Sequence, residues 1–134
     1  MDSQIHFPQE TDSVEINSVL FNFRNIKTVI KDFYRKVAMD PVLSVPFQSV
    51  EDWPHHVVRL THFWWIRFGG DSYLNVSYNP PEKHFHAGFN QEFLTRWLGL
   101  FQETLQDKLS LEQATLWGVI AERMGVALTF KNDL

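Results

Sequence analysis

The sequence predicts an all-α domain on three observations. Apolar residues recur every three or four positions in four long stretches, helix-capping residues stand at three of their entrances, and no segment shows convincing strand alternation. Residues 1–22 are polar and irregular, with Pro8 among scattered Asp, Glu and Ser, and are expected as a loosely held N-terminal arm. A single domain over residues 23–134 follows it. From Asn25, the positions Ile26, Val29, Ile30, Phe33 and Val37 line one helical stripe opposite Lys27, Lys31 and Arg35, and Asp40-Pro41 ends the helix near Met39. The run from Pro41 to Phe47 is too short and too proline-marked for another helix, so a tight connector with its apolar residues turned inward is expected. Asp52-Trp53-Pro54 opens the second helix, because Asp can accept from the free first-turn amides and proline needs no N–H partner there. This helix runs to about Phe68 and stops at Gly69-Gly70. Residues 71–81 form a loop of the kind that often carries function, and Glu82 to His86 can make at most about a turn of helix. Asn90 caps a third helix with Phe93, Leu94, Trp97, Leu98, Phe101 and Leu105 on one stripe. Ser110 and Gln113 have capping-box spacing and open the last helix, on which Ala114, Trp117, Ile120, Ala121, Met124 and Leu128 repeat.

Composition narrows the chemistry. In 134 residues there is no Cys, which excludes thiol catalysis, zinc fingers and Fe–S clusters. A net charge of −4 without a long basic run argues against nucleic acid as a partner. Met1-Asp2-Ser3-Gln4 has no positive region leading into an apolar stretch, and Arg59 and Arg67 interrupt the most apolar segment before it could span a bilayer. A cytoplasmic protein, not associated with a membrane, is expected. Against this ordinary background, 12 Phe, 5 Trp and 3 Tyr stand out, since rings in such number need a broad surface to pack against.

Helical geometry sorts three of the six histidines. His55, Arg59 and His62 fall on one polar stripe expected to face solvent, whereas His56 shares a stripe with Leu60 and Phe63 and borders the apolar face. His84 and His86 form an H-x-H pair, but without H-E-x-x-H or a third ligand at suitable spacing a catalytic zinc site is weakly supported. Neither a G-x-S-x-G elbow nor a phosphate-binding glycine pattern occurs. What remains is a set of polar tips on apolar stripes: the Tyr34 hydroxyl, the His56 imidazole and the Trp97 indole N–H. A flat apolar cofactor with a central metal would use such a set, with Phe and Trp as walls and one imidazole as axial ligand, and haem is the candidate.

The stretches Phe33-Tyr34-Arg35-Lys36-Val37, Pro46-Phe47, Trp53 through His56 with Phe63-Trp64, Lys83-His84-Phe85, and Phe89 to Phe101 resemble, in order and spacing, the group III truncated haemoglobins. These are short bacterial globins with a two-over-two helical sandwich. The resemblance covers about residues 25–106. It implies a b-type haem held without covalent attachment, with His84 as the proximal iron ligand and His86 as the alternative. It also implies a distal side lined by Tyr34 and His56, a pocket closed by Trp97, Phe47 against the haem, and Leu60 and Phe63 as apolar wall. Lys83, Arg59 and Arg67 are candidate propionate partners by charge. The implied function is reversible binding of O2, NO, CO or peroxide by a monomer, with an external electron donor wherever NO or peroxide is turned over. The alternative from a different class is a cofactor-free helical interaction module, in which the aromatic stripes are only core and partner surface.

Overall fold

The computed structural model describes residues 7–48, 50, 52–75 and 91–132, with side chains as far as Val126. Its elements in chain order are β1 (Ser13–Ile16), β2 (Val19–Asn22), α1 (Phe23–Met39), α2 (Trp53–Arg67), α3 (Gln91–Lys108) and α4 (Leu111–Asn132). Helix α1 packs on α2 and α3, α3 packs on α4, and β2 touches both α1 and α4. The architecture is all-α in class, with one small hairpin added.

That hairpin corrects the reading of the N-terminal region as irregular and without strands. β1 and β2 pair antiparallel with Val14 opposite Phe21 and Ile16 opposite Val19. The two connecting residues, Asn17 and Ser18, have φ of 51° and 66°, the left-handed pair that a two-residue hairpin with the right twist requires. Val14, Val19 and Phe21 point inward, while Leu20 faces out. Phe21 is fully buried, stacked on Phe68 at 4.9 Å and edge-on to Trp117 at 5.9 Å between ring centroids. The Gln113 side-chain amide of α4 donates to the Leu20 carbonyl at 2.8 Å. Hydrophobic anchoring and that cross-element bond tie the hairpin to the helices.

Helix α1 starts two residues earlier than its apolar stripe suggests, because Asn22 is its cap. The Asn22 side chain accepts from the Asn25 amide at 2.7 Å, and the Asn25 side chain accepts from the Asn22 amide at 2.9 Å, so two otherwise orphaned donors are satisfied reciprocally. The expected stripe of Ile26, Val29, Ile30, Phe33 and Val37 is wholly buried. At the other end the Asp40 carboxylate accepts from the Val42 amide at 2.9 Å and the Leu43 amide at 3.0 Å, which turns the chain. Leu43 and Pro46 enter the core, but Val42 and Val45 stay exposed, contrary to the expectation that the connector turns all its apolar residues inward. A chain that turns this tightly has no single inner face along its length.

Asp52 caps α2 through the His55 amide at 3.1 Å, with Pro54 in the first turn, and Gly69 leaves the helix at φ +102°. Gly70 lies directly beneath the Trp65 indole, and a side-chain carbon there would collide with the ring. Ser110 and Gln113 form the expected capping box of α4, each bonding the other's amide at 3.2 Å. Phe101 of α3 joins the layers. It stacks on Trp97 at 5.0 Å and stands edge-on to Phe33 of α1 at 4.7 Å and to Trp117 of α4 at 5.5 Å. The expected Asn90 cap and the expected short turn at Glu82 to His86 lie outside the described residues.

Candidate functional site

Three helices and the connector bring the polar-tipped residues together. Tyr34 projects from α1, Phe47 from the connector, Trp53 and His56 from the first turns of α2, and Trp97 from α3. The Tyr34 ring lies 5.3 Å from the His56 imidazole, 6.0 Å from Phe47 and 6.3 Å from Trp53, and His56 lies 5.4 Å from Trp53 and 6.2 Å from Phe47. Phe33 joins Trp97 to this group, edge-on to Tyr34 at 4.7 Å and to Trp97 at 5.3 Å. Leu60 and Phe63 continue the His56 face of α2, half-buried against the core. Trp53, three residues before His56 and thus on its face of the helix, belongs to the cluster although the sequence did not mark it as a site residue.

The polar atoms of this cluster are buried. Trp97 Nε1 and His56 Nε2 are both shielded from solvent, and the Trp97 indole N–H interacts with the Tyr34 hydroxyl. Burial pushes the Tyr34 phenol well above its ordinary pKa, with the Trp97 indole N–H acting in the opposite sense. Tyr34 therefore keeps its proton at every physiological pH and can only be a neutral hydroxyl donor or acceptor. Beneath the site, Asp40 at the end of α1 pairs with Arg96, the residue before Trp97, with Arg96 Nε at 2.8 Å, and this bond ties the connector to α3.

One expectation about the other polar residues is overturned. The stripe His55, Arg59 and His62 does not face solvent as a whole: His55 is exposed, Arg59 half-buried and His62 completely buried. The reason is tertiary, since residues Ser72 to Leu74 fold back over α2 and hydrogen-bond to His62. Arg67 is exposed. His84, His86 and Lys83 lie outside the described residues. Among the described residues no three His, Asp or Glu side chains are grouped to hold a metal ion, and no helix is long and apolar enough to cross a membrane.

The cluster suits a haem: aromatic walls, shielded imidazole and indole nitrogens, and a buried phenol that stays neutral. No family model matches the chain. A curated relative, the group 3 truncated hemoglobin ctb of Campylobacter jejuni, is 29% identical over 119 residues, spanning 84% of this chain and 91% of that protein. The crystal structure of a group III truncated hemoglobin from Campylobacter jejuni superposes with a TM-score of 0.73 and 26% identity, covering 86% of this chain and 92% of that one. In sequence and in architecture over most of its length, the chain resembles the group III truncated haemoglobins, and its fold is that of a truncated globin.

Proposed function

We propose that this chain is a globin that binds one b-type haem and reversibly takes O2 and other diatomic ligands in a polar distal pocket. The observation that carries the proposal is the convergence of Tyr34, His56 and Trp97 from three helices, with their polar groups buried among aromatic rings.

Haem, when bound, supplies an iron that takes diatomic ligands. The chain supplies the rest. Tyr34 donates its hydroxyl proton in a hydrogen bond to a ligand that gathers negative charge, and Trp97 and His56 support or gate that position. Phe47, Leu60 and Phe63 form apolar wall that excludes water. His84 is the proposed proximal ligand, with His86 as the alternative, and Lys83, Arg59 and Arg67 are the cations available to the propionates. Turnover of NO or peroxide would draw electrons from an external donor.

Two experiments test the reading. The reduced, haemin-reconstituted protein, equilibrated first with oxygen and then with argon, should change its absorption spectrum and return; absence of any change contradicts ligand binding. His84→Ala should abolish the five-coordinate ferrous histidine spectrum while His86→Ala spares it, and the opposite result transfers the role to His86.

A further inference from the structure

The one fully buried histidine among the described residues, His62, takes no part in the site above. Its Nε2 accepts from the Tyr73 amide at 3.1 Å and from the Leu74 amide at 3.2 Å. Two amide donors at one nitrogen fix the tautomer: Nε2 is the bare acceptor and Nδ1 carries the proton. The Ser72 hydroxyl lies 3.3 Å from the same nitrogen and donates to the Leu74 carbonyl at 3.1 Å, closing a small ring of bonds around the imidazole. Tyr73 caps it, its ring edge-on to His62 at 4.5 Å and packed on Phe23 of α1 at 5.8 Å and on Phe7 at 5.0 Å. The clasp thus holds the segment that leaves α2 toward His84 and His86 in the chain.

We infer that His62 is a positioning residue, a neutral-imidazole clasp that pins Ser72–Leu74 to α2 and releases them when it takes up a proton. A protonated Nε2 becomes a donor, and two amides would then face an N–H at hydrogen-bond distance. Ser72 could receive that proton's bond, but the Tyr73 and Leu74 amides would lose their acceptor in a buried place.

The surroundings leave the imidazole as the group that switches. On its own helix the nearest ionisable side chain is Arg59, the clasped segment offers Asp71 and the Tyr73 phenol, and Phe23 and Phe7 beyond Tyr73 carry no charge. Desolvation by burial lowers the His62 pKa. The sign follows. The open state titrates near the ordinary value of about 6.5 and the clasped state lower, so the clasp is fully held above about pH 6.5 and weakens as pH falls toward the lowered value.

Neither the clasp nor its test depends on haem. Amide hydrogen exchange at Tyr73 and Leu74, corrected for intrinsic rates, is measured in the full chain between about pH 8 and about pH 5. Protection should be constant above about pH 6.5 and fall by up to about tenfold per pH unit below it. His62→Gln keeps an acceptor near the Nε2 position but cannot titrate in this range, so it should retain protection and flatten the profile. A wild-type profile that stays flat, or a His62→Gln profile that falls as steeply as wild type, overturns the inference.

Discussion

The Tyr34 phenol of α1 stands edge-on to the His56 imidazole of α2, ring centroids 5.3 Å apart and planes at 84°, with the Trp97 indole of α3 joined to the pair through Phe33. Side chains more than 20 residues apart in the sequence thus share one buried polar centre within an aromatic shell. A phenol is neutral at physiological pH and burial raises its pKa further, so the Tyr34 hydroxyl keeps the proton it would donate.

Ligand release should therefore depend on that hydroxyl. A hydrogen bond to a charged acceptor contributes about 1.5–3 kcal/mol, so Tyr34→Phe should speed oxygen release by about tenfold to a hundredfold at about 1.4 kcal/mol per decade. Carbon monoxide carries less charge when bound and should respond much less. Trp97→Phe and His56→Leu should give smaller changes in oxygen release. Stopped-flow release rates for both gases decide the matter: equal changes for oxygen and carbon monoxide would mean that access, not electrostatics, governs the pocket.

The hairpin should contribute to stability rather than decorate the surface. Phe21 sits fully buried between Phe68 and Trp117. Phe21→Ala should cost about 3–5 kcal/mol, as deletion of a buried aromatic ring does. Urea unfolding followed by circular dichroism measures it, and a loss below about 0.5 kcal/mol, the scale of surface substitutions, would mean the N-terminal region is loosely attached after all.

Asp40 should set an acid limit on the join between α1 and the connector. The Arg96 guanidinium first, and then the Leu43 and Val42 amides, hold its carboxyl below the usual carboxylate range against the opposing cost of burial. A depressed folded pKa contributes stability that is complete above the unfolded value of about 4 and is lost as pH falls through the folded one. Asp40→Ala should cost about 2–3 kcal/mol at neutral pH through the lost amide acceptors. Asp40→Asn, which keeps an acceptor oxygen, should cost less, because the Arg96 side chain is half exposed and the charge is screened there. Thermal melts across acid pH should show the wild-type advantage over Asp40→Ala shrinking below about pH 4; an advantage independent of pH would remove the carboxylate from the account.

How much was legible in the sequence follows from which interactions are local. The apolar stripes of α1 and α3, that of α4 as far as Met124, the Asp52 cap and the Ser110–Gln113 box are read within a few residues of one another, and each appears in the structure. The hairpin carried a readable signal too, Val14 and Ile16 alternating ahead of Val19 and Phe21 across two residues, but Asn17-Ser18 lacks the glycine that usually announces such a turn. The burial of His62 was not legible. Its helical stripe is shared with exposed His55, and Ser72–Leu74 return over α2 to bond it, a contact no periodicity encodes. For the Tyr34 cluster, the pattern supplied polar tips on apolar stripes and the family resemblance supplied their grouping; the ring contacts bring Tyr34, Phe47 and His56 together, and Trp97 through Phe33.

The central claim is that this aromatic, donor-lined site holds one haem. Titrating the purified full chain with haemin while following absorption tests it most directly. The account predicts an intense Soret band that grows in proportion to added haemin and breaks sharply at one haem per chain. A titration with no such band, or one that rises without saturating, would contradict haem binding and leave the helical fold without the function proposed for it.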